Sequence, residues 1–201
     1  MIRVLIAEDQ TMVRGALAAL LALEDDLEVV AEVARGDEVL PAARASAADV
    51  ALLDIEMPGG DGLEAAQLLA REQPSVRALV LTTFARPGYL RRAMELGASG
   101  FLLKTAPVEE LARAIRRVAA GERVVDPGLA AAALSDGDSP LTAREREVLA
   151  AARGGDTVAT LAGALHLSPG TVRNYLSSAM GKLGAHTRAE AVRVADEKGW
   201  L

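Results

Sequence analysis

Four short apolar runs in the first 104 residues each end in a polar side chain, and no other feature constrains the fold as much. Ile2-Arg3-Val4-Leu5-Ile6-Ala7 ends in Glu8-Asp9, and Val50-Ala51-Leu52-Leu53 ends in Asp54. Ala78-Leu79-Val80-Leu81 ends in Thr82, and Gly100-Phe101-Leu102-Leu103 ends in Lys104. With one further apolar stretch they read as strands near 2–7, 28–33, 49–54, 78–82 and 100–103. Helical spacing fills 10–22, 37–45, 61–72, 87–97 and 107–119. Strand–helix units with short connections imply a five-stranded parallel, doubly wound (βα)5 domain over residues 1–120, and right-handed crossovers place helices on both faces. The carboxyl ends of parallel strands share one edge, where ligands bind.

That edge gathers Glu8, Asp9, Asp54, Thr82 and Lys104. A carboxylate attacks phosphorus poorly until the attacked oxygens are neutralised. Asp9 and Glu8 beside Asp54 make a strongly negative pocket that suits Mg2+, which accepts oxygen ligands and keeps several waters. The metal would screen Asp54 and the incoming phosphoryl oxygens, with Lys104 adding positive charge from the opposite side. Thr82 can donate its hydroxyl to a phosphoryl oxygen. Taken singly, these residues have plain readings: a turn aspartate, a solvated lysine, a strand threonine. Their conjunction at the ends of four strands points to a phosphoacceptor, Asp54.

The chain has 201 residues, half of them apolar and a quarter charged, which is the composition of a globular protein with a sizeable core. There is no cysteine and only His166 and His186, so disulfides and thiolate sites are excluded and structural zinc is not expected. No apolar run approaches the length of a membrane span and no signal peptide is evident, so a cytoplasmic protein without a membrane partner is expected. Residues 1–120 carry 13 basic and 18 acidic side chains, whereas residues 140–201 carry 8 basic and 6 acidic. Only the C-terminal part has the charge sign to approach a polyanion.

Between these parts, residues 121–139 read as a linker. It contains a short helix near 127–134 and then the polar stretch Ser135-Asp136-Gly137-Asp138-Ser139-Pro140. Residues 140–201 hold four helices. Thr142-Ala143-Arg144-Glu145 and Thr187-Arg188-Ala189-Glu190 are capping boxes for the first and last, and Gly154-Gly155 closes the first. The second runs from about Val158 to His166, and Ser168 with Pro169 opens the third. A helix, a tight turn and a second helix at this place suit major-groove binding, with Arg173, Asn174 and Ser177 near the leading end of the second. Thr171, Tyr175, Lys182 and Arg188 can touch phosphates. Val172, Leu176, Met180 and Leu183 should face the core, and Trp200 should pack at the end of the last helix.

Glu8-Asp9, Asp54, Thr82 and Lys104, in this order and spacing, resemble the receiver domain of bacterial two-component response regulators. The resemblance implies that Asp54 takes a phosphoryl group from a phosphohistidine on a sensor histidine kinase. It implies Mg2+ ligation by Asp9, Asp54 and the backbone carbonyl of Glu56, with Glu8 acting through water, and a switch made of Thr82 and Phe101. Leu141-Thr142-Ala143-Arg144-Glu145-Arg146-Glu147-Val148-Leu149, Gly170-Thr171-Val172-Arg173-Asn174 and Lys182-Leu183-Gly184 resemble the LuxR-type helix-turn-helix of the NarL/FixJ regulators. Ala159 and Thr160 stand where that family usually has a Lys and a Glu, and Ser177 replaces what is often a basic residue. Leu23-Glu24-Asp25-Asp26, Asp54-Ile55-Glu56-Met57-Pro58-Gly59, Phe84-Ala85-Arg86-Pro87-Gly88-Tyr89 and Lys198-Gly199-Trp200 look like the DesR subgroup, which implies control of membrane-lipid genes.

The expectation is a regulator, not an enzyme, that dimerises when Asp54 is phosphorylated and binds double-stranded promoter DNA. The dimer face would join the first helix (Met12, Ala16, Ala19, Leu23) to the fifth (Leu111, Ile115, Val118). Two other readings stay open at this point. One is a haloacid-dehalogenase-type phosphatase, although Glu56 stands where such enzymes place a second Asp. The other is a phosphorylation-gated protein-interaction module.

Overall fold

The computed structural model describes every residue except 84–86 and 136–138, and describes the backbone alone at 87 and 132–135. The chain forms two compact units, one made of residues 1–85 and 90–131 and the other of residues 86–89 and 132–201. In the first, β1 (Ile2–Ala7), β2 (Leu27–Val33), β3 (Val50–Asp54), β4 (Arg77–Thr82) and β5 (Gly100–Leu103) alternate with helices. These are α1 (Thr11–Leu21), α2 (Gly36–Ser46), α3 (Gly62–Glu72), α4 (Pro87–Glu95) and α5 (Val108–Ala119). All strand pairs are parallel, in the order β2-β1-β3-β4-β5, with a sixth strand, β6 (Val124–Val125), beyond β5.

The sheet has six strands, not five. β6 (Val124–Val125) lies along β5, with Gly100 opposite Val124 and Phe101 opposite Val125. Two residues are too few for any periodic signal, and Asp126-Pro127 ends the run at once. The stretch that reads as linker therefore begins as sheet edge. It continues as α6 (Pro127–Ser135). The polar stretch after it, and the Phe84-Ala85-Arg86 part of the DesR-like segment, lie outside the described residues.

Alternation along each strand sorts its side chains between two cores. Val4, Ile6, Leu52, Leu79, Leu81 and Leu102 pack with Leu21, Leu111, Ile115 and Val118 beneath α1 and α5. Leu5, Ala7, Ala51, Leu53 and Ala78 pack with Val39, Ala43, Ala66 and Leu69 beneath α2 and α3. This corrects the expected fifth-helix surface: Leu111 is 7% exposed, and Ile115 and Val118 are fully buried. They face the sheet because it consumes the whole apolar stripe of α5. Met12, Ala16 and Ala19 on α1, and Leu23 in the turn after it, are exposed.

α2 ends on Ala47, held in the left-handed region at φ 49° and ψ 45°. Its methyl group crowds the backbone there, and glycine would not. Ala47 is exposed, so no packing is lost on replacement. Ala47→Gly should stabilise the first unit by about 0.5–1 kcal/mol in urea unfolding.

The second unit holds α7 (Ala143–Ala151) with a 3-10 turn after it (Ala152–Gly154), α8 (Val158–Ala164), α9 (Pro169–Leu183) and α10 (Arg188–Glu197). Val148, Leu149, Leu161, Val172, Leu176, Ala179 and Ala191 form its core, with Met180, Leu183 and Trp200 packed against it. Thr142 and Glu145 make the expected reciprocal cap, and Gly155 closes the 3-10 turn after α7 at φ 79°. At α10 only half the expected box forms. Thr187 accepts from the Glu190 N–H, but the Glu190 carboxylate takes the His186 N–H at 2.8 Å, one residue early. Thr160 bonds the Thr157 cap through its own hydroxyl at 2.9 Å.

Candidate functional site

The parallel register brings the ends of β1, β3, β4 and β5 side by side. Glu8, Asp54 and Thr82 are buried polar groups, 1%, 6% and 4% exposed. Glu8, Asp9 and Asp54 each present a carboxylate oxygen within 4.8 Å of the others. The Lys104 ammonium bridges two of them, at 2.6 Å from Glu8 Oε2 and 2.9 Å from Asp54 Oδ1. The cavity above is lined by Asp9, Gln10, Asp54, Glu56, Thr82, Thr83 and Lys104. Glu8 lies behind that lining, where it holds the Lys104 ammonium.

Burial raises the Glu8 pKa above the usual carboxylate range. The Lys104 contact opposes that rise, and the Asp54 charge adds to it. For Lys104, burial works against the ammonium, yet contacts with Glu8 and Asp54 outweigh it and the pKa is raised. The lysine is therefore a fixed positive charge at neutral pH. Three clustered carboxylates are hard oxygen donors, a set that suits a hard cation such as Mg2+. Phe101 is fully buried, opposite Val80 on one side and Val125 on the other.

Local backbone fixes the pocket floor. Gly62, at the start of α3, donates its N–H to the Ile55 carbonyl at 3.0 Å. A Cβ at Gly62 would sit 2.0 Å from the Asp54 carbonyl oxygen. On the other wall, Arg14 donates to the Glu8 carbonyl at 2.6 Å, tying α1 to the loop that carries Asp9. Gln10 and Thr83 had only their place one residue beyond Asp9 and Thr82 to mark them. Arg14 carried no signal in the sequence.

In the second unit, α9 starts with a bond from the Thr171 N–H to Ser168 Oγ at 3.0 Å. Arg173, Asn174 and Ser177 are exposed on α9, and Thr171 is half-buried. Two expected phosphate contacts have partners inside the unit. Arg188 donates to the carbonyls of Gly155 and Asp156, capping the 3-10 turn. Lys182 meets the Glu145 carboxylate at 2.7 Å.

Glu145 is 4% exposed, and its pKa is lowered to about 2, first by Lys182, then by Ser178 and by the Thr142 N–H. A carboxyl with a depressed folded pKa stabilises the fold above its unfolded value, and that stability is lost as pH falls through the folded value. Acid should thus weaken the second unit between pH 4.5 and about 2. Unfolding measured across that window should show a smaller pH dependence in Glu145→Gln than in the wild type.

Residues 4–116 match the family model for the response regulator receiver domain, and residues 139–195 match bacterial regulatory proteins of the luxR family. The chain belongs to the response-regulator family. The matched families are a receiver family and a DNA-binding family, not an enzyme class.

Two relatives of this response regulator match it along their whole length. It is 46% identical over 201 residues to the uncharacterized transcriptional regulatory protein YvfU of Bacillus subtilis (strain 168), covering 100% of both chains. The transcriptional regulatory protein DesR of the same organism is also 46% identical over 201 residues, again with full coverage of both. Among solved structures, the response regulator ChrA of a heme-sensing two-component system is 33% identical with a TM-score of 0.60, covering 100% of this chain and 98% of that one. The RcsB–DNA complex is 27% identical with a TM-score of 0.68, covering 98% of each chain. Among the described residues, no helix of this response regulator is long and apolar enough to cross a membrane.

Proposed function

We propose that this regulator controls transcription through a phosphoryl group placed on Asp54 by a sensor histidine kinase, in the cytoplasm. The observation that carries the reading is the Lys104 bridge between Glu8 and Asp54, in a chain that also has a luxR-family DNA-binding domain. An Asp54 carboxylate oxygen attacks the phosphorus of a phosphohistidine. The O–P bond forms as the P–N bond breaks, and the departing imidazole nitrogen keeps the electron pair and takes a proton from solvent. Bound Mg2+ would supply positive charge that lets anionic oxygens meet an anionic nucleophile. Asp9, Asp54 and the Glu56 carbonyl would hold it, with Glu8 acting through water. Lys104 then stays beside the new phosphoryl oxygens, and the Thr82 hydroxyl donates to one of them.

Thr82 and Phe101 serve as the switch from this event to a homodimer. The exposed part of α1, with Met12, Ala16 and Ala19, and Leu23 just beyond it contribute to the dimer face. Pairing matters because one mildly basic domain binds DNA weakly at physiological salt, whereas tethered domains engage two half-sites together. On the duplex, Arg173 and Asn174 read bases, and Thr171 and Ser177 contact the backbone or base edges. The regulator is equally identical to YvfU and DesR, so similarity favours neither relative's target genes.

Genomic DNA captured by the wild type and by Arg173→Ala tests the DNA half of the proposal. Loss of one bidentate base contact costs about 1–3 kcal/mol, a roughly 5- to 150-fold drop in affinity for the captured sites. Equal capture by both proteins would remove Arg173 from the interface.

A further inference from the structure

We propose that Lys182 is a positioning residue, locking the base-reading helix α9 to α7 through Glu145, and is not a phosphate contact. The inference rests on the reading of α9 as the DNA-reading helix. Three groups converge on one buried carboxylate. Lys182 Nζ lies 2.7 Å from Glu145 Oε2, Ser178 Oγ donates to Oε1 at 2.6 Å, and the Thr142 N–H donates to Oε2 at 2.6 Å. Glu145 is the third residue of α7, and Lys182 and Ser178 are one turn apart near the other end of α9. The cap of one helix is thereby the anchor of another.

The chemistry argues against a second duty for Lys182. Its side chain is 35% exposed, whereas that of Glu145 is 5% exposed. Reaching for a phosphate would move the ammonium away and strand a carboxylate that water cannot solvate. While the pair holds, Glu145 already neutralises the charge of Lys182. A cation so neutralised displaces no counterion from DNA.

What the lock controls is direction. Arg173 and Asn174 stand eight or nine residues before Lys182, about 13 Å along the helix axis. A tilt of about 5° at the anchored end moves them by about 1 Å. Bidentate base contacts do not survive such a shift, while contacts with phosphate oxygens adjust to it. Loosening the lock therefore costs sequence discrimination more than general affinity.

The test uses the full-length protein and two duplexes of equal length: one selected from a random pool by the wild type, and a scrambled version. Binding is titrated over a range of salt for the wild type, Lys182→Gln, Glu145→Gln and the double variant. The expected result for Lys182→Gln is a salt slope equal to that of the wild type. Its affinity should fall about 10-fold on the selected duplex and less than about 2-fold on the scrambled one. Glu145→Gln should lower the same ratio, and the double variant should lose no more than either single one. Neither the slope nor the ratio changes when part of a sample is merely unfolded, so lower stability cannot imitate the result. A slope shallower by about one, with equal loss on both duplexes, is the signature of a phosphate contact and would overturn the proposal. Additive losses in the double variant would overturn it as well. A wild type that selects no duplex would instead sink the DNA-reading role of α9 beneath it.

Discussion

Asp54→Asn should take up no phosphoryl group from acetyl phosphate and Mg2+, under conditions that label the wild type at that position. Asparagine keeps the volume at the end of β3 but has no anionic oxygen to attack phosphorus. Lys104 would keep its partner Glu8, 2.6 Å away, so the pocket should not collapse. Nearby acids cannot substitute. Glu8 is buried behind the lining and occupied by the lysine, and Asp9, on β1's side of the cavity, would hold the cation in the proposed reaction. Intact mass and peptide mapping read the outcome directly. A chelator should have the same effect on the wild type, because the carboxylate cluster then repels the incoming anion. Downstream, the labelled wild type should bind a duplex with two half-sites roughly 100-fold or more tighter than the unlabelled protein. The Asn variant should show no such gain. Labelling of the variant elsewhere in the pocket would contradict the assignment.

Gly62→Ala should strongly destabilise the receiver domain. The added Cβ would lie 2.0 Å from the Asp54 oxygen and 2.8 Å from its carbonyl carbon. Both are backbone atoms at the end of a fully buried strand, so neither can step aside as a side-chain tip would. The reason for glycine here is space, since the φ of Gly62 is not among the left-handed ones. Either α3 retreats and loses the bond from Gly62 to Ile55, or β3 is displaced. Overpacking of this kind costs about 1–3 kcal/mol, and backbone opposition puts this case at or above about 3. The midpoint of urea unfolding should drop accordingly. Labelling of Asp54 in the fraction that remains folded should slow too, because the phosphoacceptor rides on the shifted carbonyl. An unchanged midpoint would show that the turn relaxes more easily than its packing implies.

The receiver domain was legible because its evidence is local. β1, β3, β4 and β5 each carry a short apolar run, and each polar group of the pocket stands at the end of one, so placing those strands places Glu8, Asp9, Asp54, Thr82 and Lys104. What escaped depends on contacts between distant positions. β6 is two residues that become a strand only because β5 offers an open edge. On α5, Leu111, Ile115 and Val118 form a stripe that suits a partner or a sheet equally well, and only the sheet's width decides between them. Glu145 was legible as a cap, since Thr142 is three residues away. Its bonds to Ser178 and Lys182 span 33 and 37 residues and follow from helix packing. Likewise, no spacing rule distinguishes a lysine aimed at DNA from one turned to a buried acid.

The single indole of this chain belongs to Trp200, which packs against the helical core of the second unit. Its emission should therefore follow the melting of the DNA-binding domain, whereas far-UV ellipticity sums both domains. Recording the two signals on one sample separates the two transitions without cutting the polypeptide.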